Sequence, residues 1–276
     1  MMKEDLRMEE WFDGKLIRID YLEFDHIFVV SDVHNDYINL TKAVKKLQMD
    51  KEHNLLIIAG DLIDRGYQPH PEELLDYVFD GVEKGNIIYL KGNHESMLCE
   101  HIRSEYHPSV EPEFREQYHY NTLQILEQRG YTDEMIRELG EKLEKLPLMV
   151  EIETGDTLYR IGHAELPDKE LTLKHIVEKD VVWGDYFWQA YYSRFFKNKD
   201  GKKLILITGH LPTAKLREEF ERIYNDRRDY QIWFSDEKNG LLVQKIDIDC
   251  GNGYREFIPS VHLGVLKLGT METFYF

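Results

Sequence analysis

The stretch Leu55-Leu56-Ile57-Ile58-Ala59-Gly60-Asp61-Leu62-Ile63-Asp64-Arg65-Gly66 sets a short apolar run directly before a polar block bounded by glycines. The run is too short for a typical helix and rich in branched side chains, as strands buried on both faces are. Two further stretches repeat the arrangement. Ile27 to Val30 leads into Ser31-Asp32-Val33-His34-Asn35, and Ile87 to Leu90 leads into Lys91-Gly92-Asn93-His94-Glu95. Between the three lie Tyr37 to Met49 and Glu72 to Lys84, with apolar residues at helical spacing: Leu40, Val44 and Leu47, then Leu74, Leu75, Val78 and Val82. The resulting β-α-β-α-β order implies a sheet with right-handed crossovers. In open sheets of this kind the ligand crevice opens at the carboxyl ends of the strands. Topology alone therefore gathers the three polar blocks at one edge.

A chain of 276 residues can bury a substantial core, and the expectation is one α/β domain spanning 1–276. Lys and Arg total 35 against 52 for Asp and Glu, giving a net charge of −17 and a pI near 5.2. Such a surface repels polyanions and argues against generic nucleic-acid binding. A phosphorylated substrate stays open, because bound divalent cations reverse the local sign. The two cysteines, Cys99 and Cys250, lie outside any zinc-ligand spacing and are expected to be reduced thiols. Met1 to Glu10 is acidic without an apolar core, so it does not resemble a signal peptide. No run approaches the roughly 20 apolar residues of a membrane span. The expected setting is cytoplasmic, with the oligomeric state open.

After Glu95, Ser96 to Arg103 is expected as a short helix. Glu113 to Gln128 and Thr132 to Leu146 follow as helices separated by the stop signal Arg129-Gly130. Together they suggest a helical cap inserted at about 100–146, either walling the cleft or serving as a structural layer. The second half is richer in strands. Leu148 to Glu153 and Thr157 to Ile161 flank the turn signal Thr154-Gly155-Asp156, and Lys203 to Thr208 ends at Gly209-His210. Leu241 to Ile248, Gly264 to Leu268 and Met271 to Phe276 read as closing strands, and the aromatic Asp185 to Lys197 as a core-packing helix.

Asp, His and Asn at strand ends are oxygen and nitrogen donors of intermediate hardness, suited to Mn²⁺, Fe or Zn²⁺ rather than to an all-oxygen Ca²⁺ cage. Two more histidines end strands in the second half, His163 in Ile161-Gly162-His163-Ala164 and His210 in Thr208-Gly209-His210-Leu211. With Asp32, His34, Asp61 and Asn93 they make six candidate ligands, enough for two metals sharing one carboxylate. A lone histidine is more often a satisfied core or surface residue. Several strand-end coincidences in one chain reverse that expectation.

The order and type of these residues resemble the phosphoprotein phosphatase branch of the calcineurin-like metallophosphoesterases. That pattern runs Gly-Asp-x-His-Gly, Gly-Asp-x-x-Asp-Arg-Gly, Gly-Asn-His-Glu, then a His and a Gly-His element. The resemblance covers roughly residues 27 to 276 and is strongest from 27 to 98. It implies a four-layer α/β/β/α sandwich of mixed sheets flanked by helices, and two divalent metal ions, Mn²⁺ first with Fe or Zn²⁺ as alternatives. It assigns Asp32 and His34 to one metal, Asn93, His163 and His210 to the other, and Asp61 to both. It further implies a shared hydroxide attacking phosphorus in line, with His94 protonating the leaving oxygen, Asp64 orienting that imidazole and Arg65 holding the phosphoryl group. Structural alternatives stand beside these roles. Asp64 and Arg65 could be an ion pair closing a turn, and Glu95 a carboxylate favoured by a helix dipole.

The family also carries a second substrate arginine after a Trp-Ser-Asp-like element. Val182-Trp183-Gly184-Asp185 resembles it, which points to Arg194, unless Arg194 sits on the exposed face of an aromatic helix. Three departures are visible. Ser31 and Asn35 replace the glycines of the opening motif, Leu211-Pro212-Thr213 follows His210 where Thr is usual, and Cys250 stands in the middle of an Asp-Thr-Gly-like element at Asp249 to Gly251. None removes a candidate ligand. Asn adopts the left-handed conformation most readily after glycine, so the opening turn is expected to survive.

The resemblance implies hydrolysis of phosphoserine or phosphothreonine in proteins, or of another small phosphoester. The alternative is a symmetrical diadenosine tetraphosphate hydrolase, whose branch tends to lack an Asp at position 64 and to carry Asp where this chain has Glu95. A phosphodiesterase acting on nucleic-acid ends or cyclic nucleotides is a third reading, and a binding module that keeps only the fold a fourth. The fourth is disfavoured by the complete ligand set.

Overall fold

Alternation along three short strands shows how the centre is built. In β3 (His26–Val30), β4 (Asn54–Ile58) and β5 (Ile87–Tyr89), residues Ile27, Val29, Leu55, Ile57 and Ile88 face one apolar cluster, while Phe28, Val30, Leu56, Ile58 and Tyr89 face another. Successive strand side chains point to opposite faces, so a sheet covered on both sides needs an unbroken apolar run. The computed structural model describes residues 7–8, 15–106, 121–166, 178–184, 202–221, 229–235 and 243–276.

These three strands pair in parallel, β3 beside β4 and β4 beside β5. The connections are α1 (Tyr37–Leu47) and α2 (Pro71–Lys84), capped respectively by the Asp36 carboxylate on the Asn39 N–H and by a proline in the first turn. Antiparallel β11 (Gly264–Lys267) and β12 (Glu272–Tyr275) extend the sheet to five strands in the order β12-β11-β3-β4-β5.

A second mixed sheet has seven strands in the order β1-β2-β6-β7-β8-β10-β9. They are β1 (Arg7–Met8), β2 (Leu16–Asp20), β6 (Met149–Glu153), β7 (Thr157–Gly162), β8 (Lys203–Thr208), β9 (Trp233–Phe234) and β10 (Val243–Asp247). Ile17, Ile19, Val150, Ile152, Ile161, Ile205, Ile207 and Ile246 meet Ile27, Val29, Leu55 and Ile57 of the first sheet in one buried cluster between the layers. The outer face of the five-stranded sheet is covered by α1, α2, α3 (Asn93–Tyr106), α4 (Asn121–Gln128) and α5 (Asp133–Glu144). This is the expected architecture of two mixed sheets flanked by helices.

The hairpin expected at 148–161 forms as β6 and β7. Several elements had no sequence expectation, among them β1, β2, the two-residue β9, and α6 (Glu178–Trp183), in which Val181 and Val182 pack on Leu148. The expected helix at 113–128 lies outside the described residues until Asn121, and the aromatic Asp185 to Lys197 lies outside them altogether. The helix expected at 96–103 begins earlier, at Asn93, because Glu95 accepts the Gly92 N–H at 2.7 Å and so closes a capping arrangement around the motif itself. Cys99 and Cys250 are buried and free. Among the described residues no helix is long and apolar enough to cross a membrane.

Across β2, β6 and β7 the register aligns Arg18, Glu151 and Arg160 in one row. Arg18 Nε donates to Glu151 Oε2 at 2.8 Å and Arg160 Nη2 to Oε1 at 2.6 Å. Burial opposes the Glu151 charge, but the two guanidinium groups overcome it and hold the carboxyl below its usual pKa. Glu151→Gln should therefore lower stability by about 3 kcal/mol at neutral pH, since one partner of a buried charge group is removed. The group's folded pKa is depressed, so its contribution is complete above the unfolded carboxyl value and is lost as pH falls through the folded one. Urea midpoints of the two proteins should accordingly converge in acid; a constant gap at every pH would contradict the charge account.

Candidate active site

The polar blocks meet where the sequence places them, at the carboxyl ends of β3, β4 and β5. The chain turns there in an unusual way. Asp32, His34, Asp61, Asp64, Arg65 and His210 all have positive φ, between 50° and 72°. Non-glycine residues in the left-handed region cost on the order of 1–2 kcal/mol each and persist only where surroundings over-determine them. Asn35 is left-handed too, with φ 59°, as its substitution for glycine led one to expect. Gly92 is a glycine because a Cβ there would run into the Asp61 carboxylate and backbone N.

Asp61 lies at the centre. Its Oδ1 accepts the His94 N–H at 3.0 Å, capping the N-terminus of α3, and is 3.3 Å from His163 Nε2. Its Oδ2 is 4.0 Å from His34 Nε2 and 3.9 Å from His94 Nε2. Two donor groups therefore share it. Donor atoms of His34, Asp61 and His94 fall within 4.8 Å of one another, and so do those of Asp61, His163 and His210. Asp32 joins the first group, with Oδ1 3.8 Å from His34 Nε2, and Asn93 the second. Asn93 Oδ1 is 2.9 Å from both His163 Nε2 and His210 Nδ1.

The imidazole tautomers follow from their partners. His34 Nδ1 faces the carbonyls of Ile63 and Asp64 at 3.1 and 3.2 Å, and His163 Nδ1 faces that of Ala59 at 3.0 Å. A carbonyl only accepts, so Nδ1 carries the proton in both rings and Nε2 points inward. His94 Nδ1 donates to Asp64 Oδ2 at 3.0 Å, while its buried Nε2 has no hydrogen-bond partner.

Charge in the site is unbalanced toward the anion. Burial, followed by the neighbouring Asp61, pushes Asp32 up to about 6, although His163 pulls the other way. Burial and then the Asp32 charge raise Asp249 well above the ordinary range, and burial and then Asp249 do the same for Asp247. Burial with His94 lowers His34 to about 3, and burial with His163 lowers His210 to about 4, so both are neutral rings with free lone pairs. His163 is opposite: burial disfavours its charge, yet Asp61 raises it to about 10. Neutral imidazoles, an amide oxygen and crowded carboxylates form a donor set that divalent cations fit, with positive charge taking over from the His163 proton the balancing of Asp61.

Each ligand candidate read from the sequence, Asp32, His34, Asp61, Asn93, His163 and His210, is brought into this cluster. Asp64 turns its carboxylate to His94 and not into an ion pair closing its own turn. Arg65 is exposed, with its guanidinium 5.3 Å from the centre of the Tyr254 ring. Arg194 lies outside the described residues. Glu95 does far more than meet a helix dipole. It is buried and accepts from the N–H groups of Asp61, Leu62, Ile63 and Gly92 and from the Tyr89 hydroxyl. Ser31 is not merely a tolerated substitute, since its hydroxyl donates to Asp32 Oδ2. Thr122, from α4, had no local signal at all, yet contacts Asp64 and Asn35.

Comparison with known proteins defines the class. Residues 26–250 match the family model described as calcineurin-like phosphoesterase, and the chain belongs to that family. Among curated relatives, it is 29% identical over 153 residues to serine/threonine-protein phosphatase 2 of Escherichia coli, covering 55% of this chain and 64% of that one. It is 32% identical over 83 residues to the asymmetrical bis(5'-nucleosyl)-tetraphosphatase PrpE of Bacillus subtilis, covering 27% of this chain and 33% of that one. These matches span less than two thirds of the relatives' lengths. Among solved structures, a protein serine/threonine phosphatase from Saccharomyces cerevisiae superposes with a TM-score of 0.54 at 14% identity, over 92% of this chain and 76% of that chain. That likeness speaks for the fold.

Proposed function

We propose that the protein is a phosphomonoesterase dependent on two divalent metal ions, acting on phosphoserine or phosphothreonine in proteins. The observation that carries this reading is the pair of donor clusters sharing Asp61, with the unpartnered His94 Nε2 aimed beside it. Asp32, His34 and Asp61 would hold one cation, and Asp61, Asn93, His163 and His210 the other; Mn²⁺ is the first candidate, then Fe or Zn²⁺. Bound there, such cations supply Lewis acidity, neutralising phosphoryl charge and lowering the pKa of water toward neutrality.

The chain's own groups do the rest. Arg65 offers a planar fork for two phosphoryl oxygens, and the Tyr254 ring beneath it limits where that fork can point. Burial works against a charged His94, but Asp61 and Asp64 more than offset it, so its pKa is raised. The imidazolium can then give its Nε2 proton to the departing alkoxide oxygen, while Nδ1–H stays on Asp64. The one-domain reading is supported by Ile102, Leu126 and Leu139 of the helical insertion sharing a core with Val30 and Ile58. The protein-phosphatase reading is supported by similarity to curated Ser/Thr phosphatases and by Asp64 and Glu95 in the motif. The PrpE similarity favours a second reading, a dinucleoside tetraphosphatase.

The Mn²⁺-loaded protein should be assayed against para-nitrophenyl phosphate, phosphopeptides and diadenosine tetraphosphate. A higher kcat/KM for phosphopeptides is expected; the reverse ranking selects the second reading, and no turnover at all removes the enzyme reading. His94→Asn should keep its metal and lose about 10²- to 10⁴-fold in kcat, the usual worth of a positioned acid. Full turnover by that variant would rule His94 out as the acid.

A further inference from the structure

We propose that Thr122, at the start of α4, is a positioning residue that holds the Asp64–His94 pair in its working geometry. The inference rests on the phosphoesterase reading above. Asp64, Arg65 and Gly66 are successively left-handed, with φ 62°, 58° and 84°, and something must hold such a run in place. Thr122 grips it twice. Its Oγ1 accepts the Asp64 N–H at 2.8 Å, and its own N–H donates to Asp64 Oδ1 at 3.3 Å. The other Asp64 oxygen takes the His94 Nδ1 proton, so the carboxylate is fixed from both sides.

The same hydroxyl accepts from Asn35 Nδ2 at 3.0 Å, in the loop that follows His34. The neighbouring Asn121 Nδ2 donates to the Arg65 carbonyl at 2.8 Å. Thr122, Asp64 and Asn35 are all buried. A hydroxyl has two acceptor positions, and here both are filled by groups from separate loops of the site. The helical insertion thus reaches the chemistry through the Thr122 and Asn121 side chains, not merely by covering the sheet with Leu123 and Leu126.

Thr122→Val keeps shape and removes the acceptor, leaving the Asp64 N–H without its partner. Kinetics on two phosphomonoesters separate positioning from packing. A phosphoserine peptide has a poor leaving group that needs protonation, whereas 2,4-dinitrophenyl phosphate needs little. The variant should lose about tenfold to a hundredfold in kcat on the first and less than about threefold on the second, with KM little changed and Thr122→Ser restoring turnover. Thr122→Ala is the second variant should Val fail to fold, with the same pattern expected. A readout independent of activity is the imidazole Nδ1–H resonance of His94 in ¹⁵N-histidine-labelled protein, assigned by its loss in His94→Asn. It should move or broaden in Thr122→Val and return in Thr122→Ser. Equal losses on both substrates, an unchanged kcat, or an unmoved resonance would overturn the proposal. Absence of turnover by the parent protein would sink the phosphoesterase reading alone, and the resonance would still decide whether Thr122 holds His94.

Discussion

Asp61→Asn should abolish metal loading and phosphoester turnover together while leaving the fold in place. Asparagine adopts the left-handed conformation that Asp61 holds at φ 51°, and its side-chain oxygen can still accept the His94 N–H that caps α3. The backbone therefore has no reason to move. What disappears is the single anionic group common to both donor clusters. In the parent, burial opposes ionisation of Asp61, but His163 and His94 hold its pKa well below the usual carboxylate range, so it is an anion throughout the working pH range. The neutral amide cannot replace that charge between two cations. Metal stoichiometry by elemental analysis should fall from two toward none, and kcat/KM by roughly 10³-fold or more, about 4 kcal/mol in transition-state terms. Circular dichroism of the metal-free proteins should match. Retention of two tightly bound metals would remove Asp61 from the shared position.

Glu95→Gln should cost both stability and metal affinity, although Glu95 is not itself placed among the ligands. All five of its partners are donors: Asp61 N–H and Gly92 N–H on Oε2, Leu62 N–H, Ile63 N–H and Tyr89 O–H on Oε1. Burial and the nearby Asp61 raise the carboxyl pKa, yet four of its five partners are backbone N–H groups, which can only donate. A glutamine must turn its NH₂ toward one of the two donor sets. At least two buried donors then lose their acceptor, at about 1–3 kcal/mol each. An unfolding free energy lower by about 3 kcal/mol is expected from urea titration. The turn that presents Asp61 would loosen as well, and metal affinity should weaken by about 10- to 100-fold, as when a partner that orients a ligand is lost. Parent-like stability in the glutamine variant would show that the five contacts are not held together in solution.

The two variants sit at different depths of what the chain discloses. Asp61 was legible from position and type alone: an acid after an apolar run, repeated by Asp32 and Asn93 at the ends of neighbouring runs. Glu95 is visible in its motif, and its place as a carboxylate in the first turn of α3 holds, but its further partners are not legible there. Nothing in Gly-Asn-His-Glu tells that the carboxylate turns back across to a strand end at Asp61, since a backbone N–H carries no residue signature. Thr122 was invisible, because its partners Asn35 and Asp64 are far away in the chain and one threonine in an amphipathic helix looks like any other. Helix α3 was expected to start after the motif, whereas the motif forms its first turn.

By itself, then, the amino-acid order determined the parallel centre of the fold and the identity of the ligand candidates. Strand and helix periodicities are local, and parallel connection fixes which ends of the strands converge. Only the tertiary structure decided the left-handed backbone at Asp32, Asp61 and Asp64, the proton-bearing nitrogens of His34 and His163, and the reach of Glu95 and Thr122 into the site. These depend on hydrogen-bond acceptors and steric limits supplied by segments remote in sequence, and such partners exist only once the two sheets and the helical layer have closed on one another.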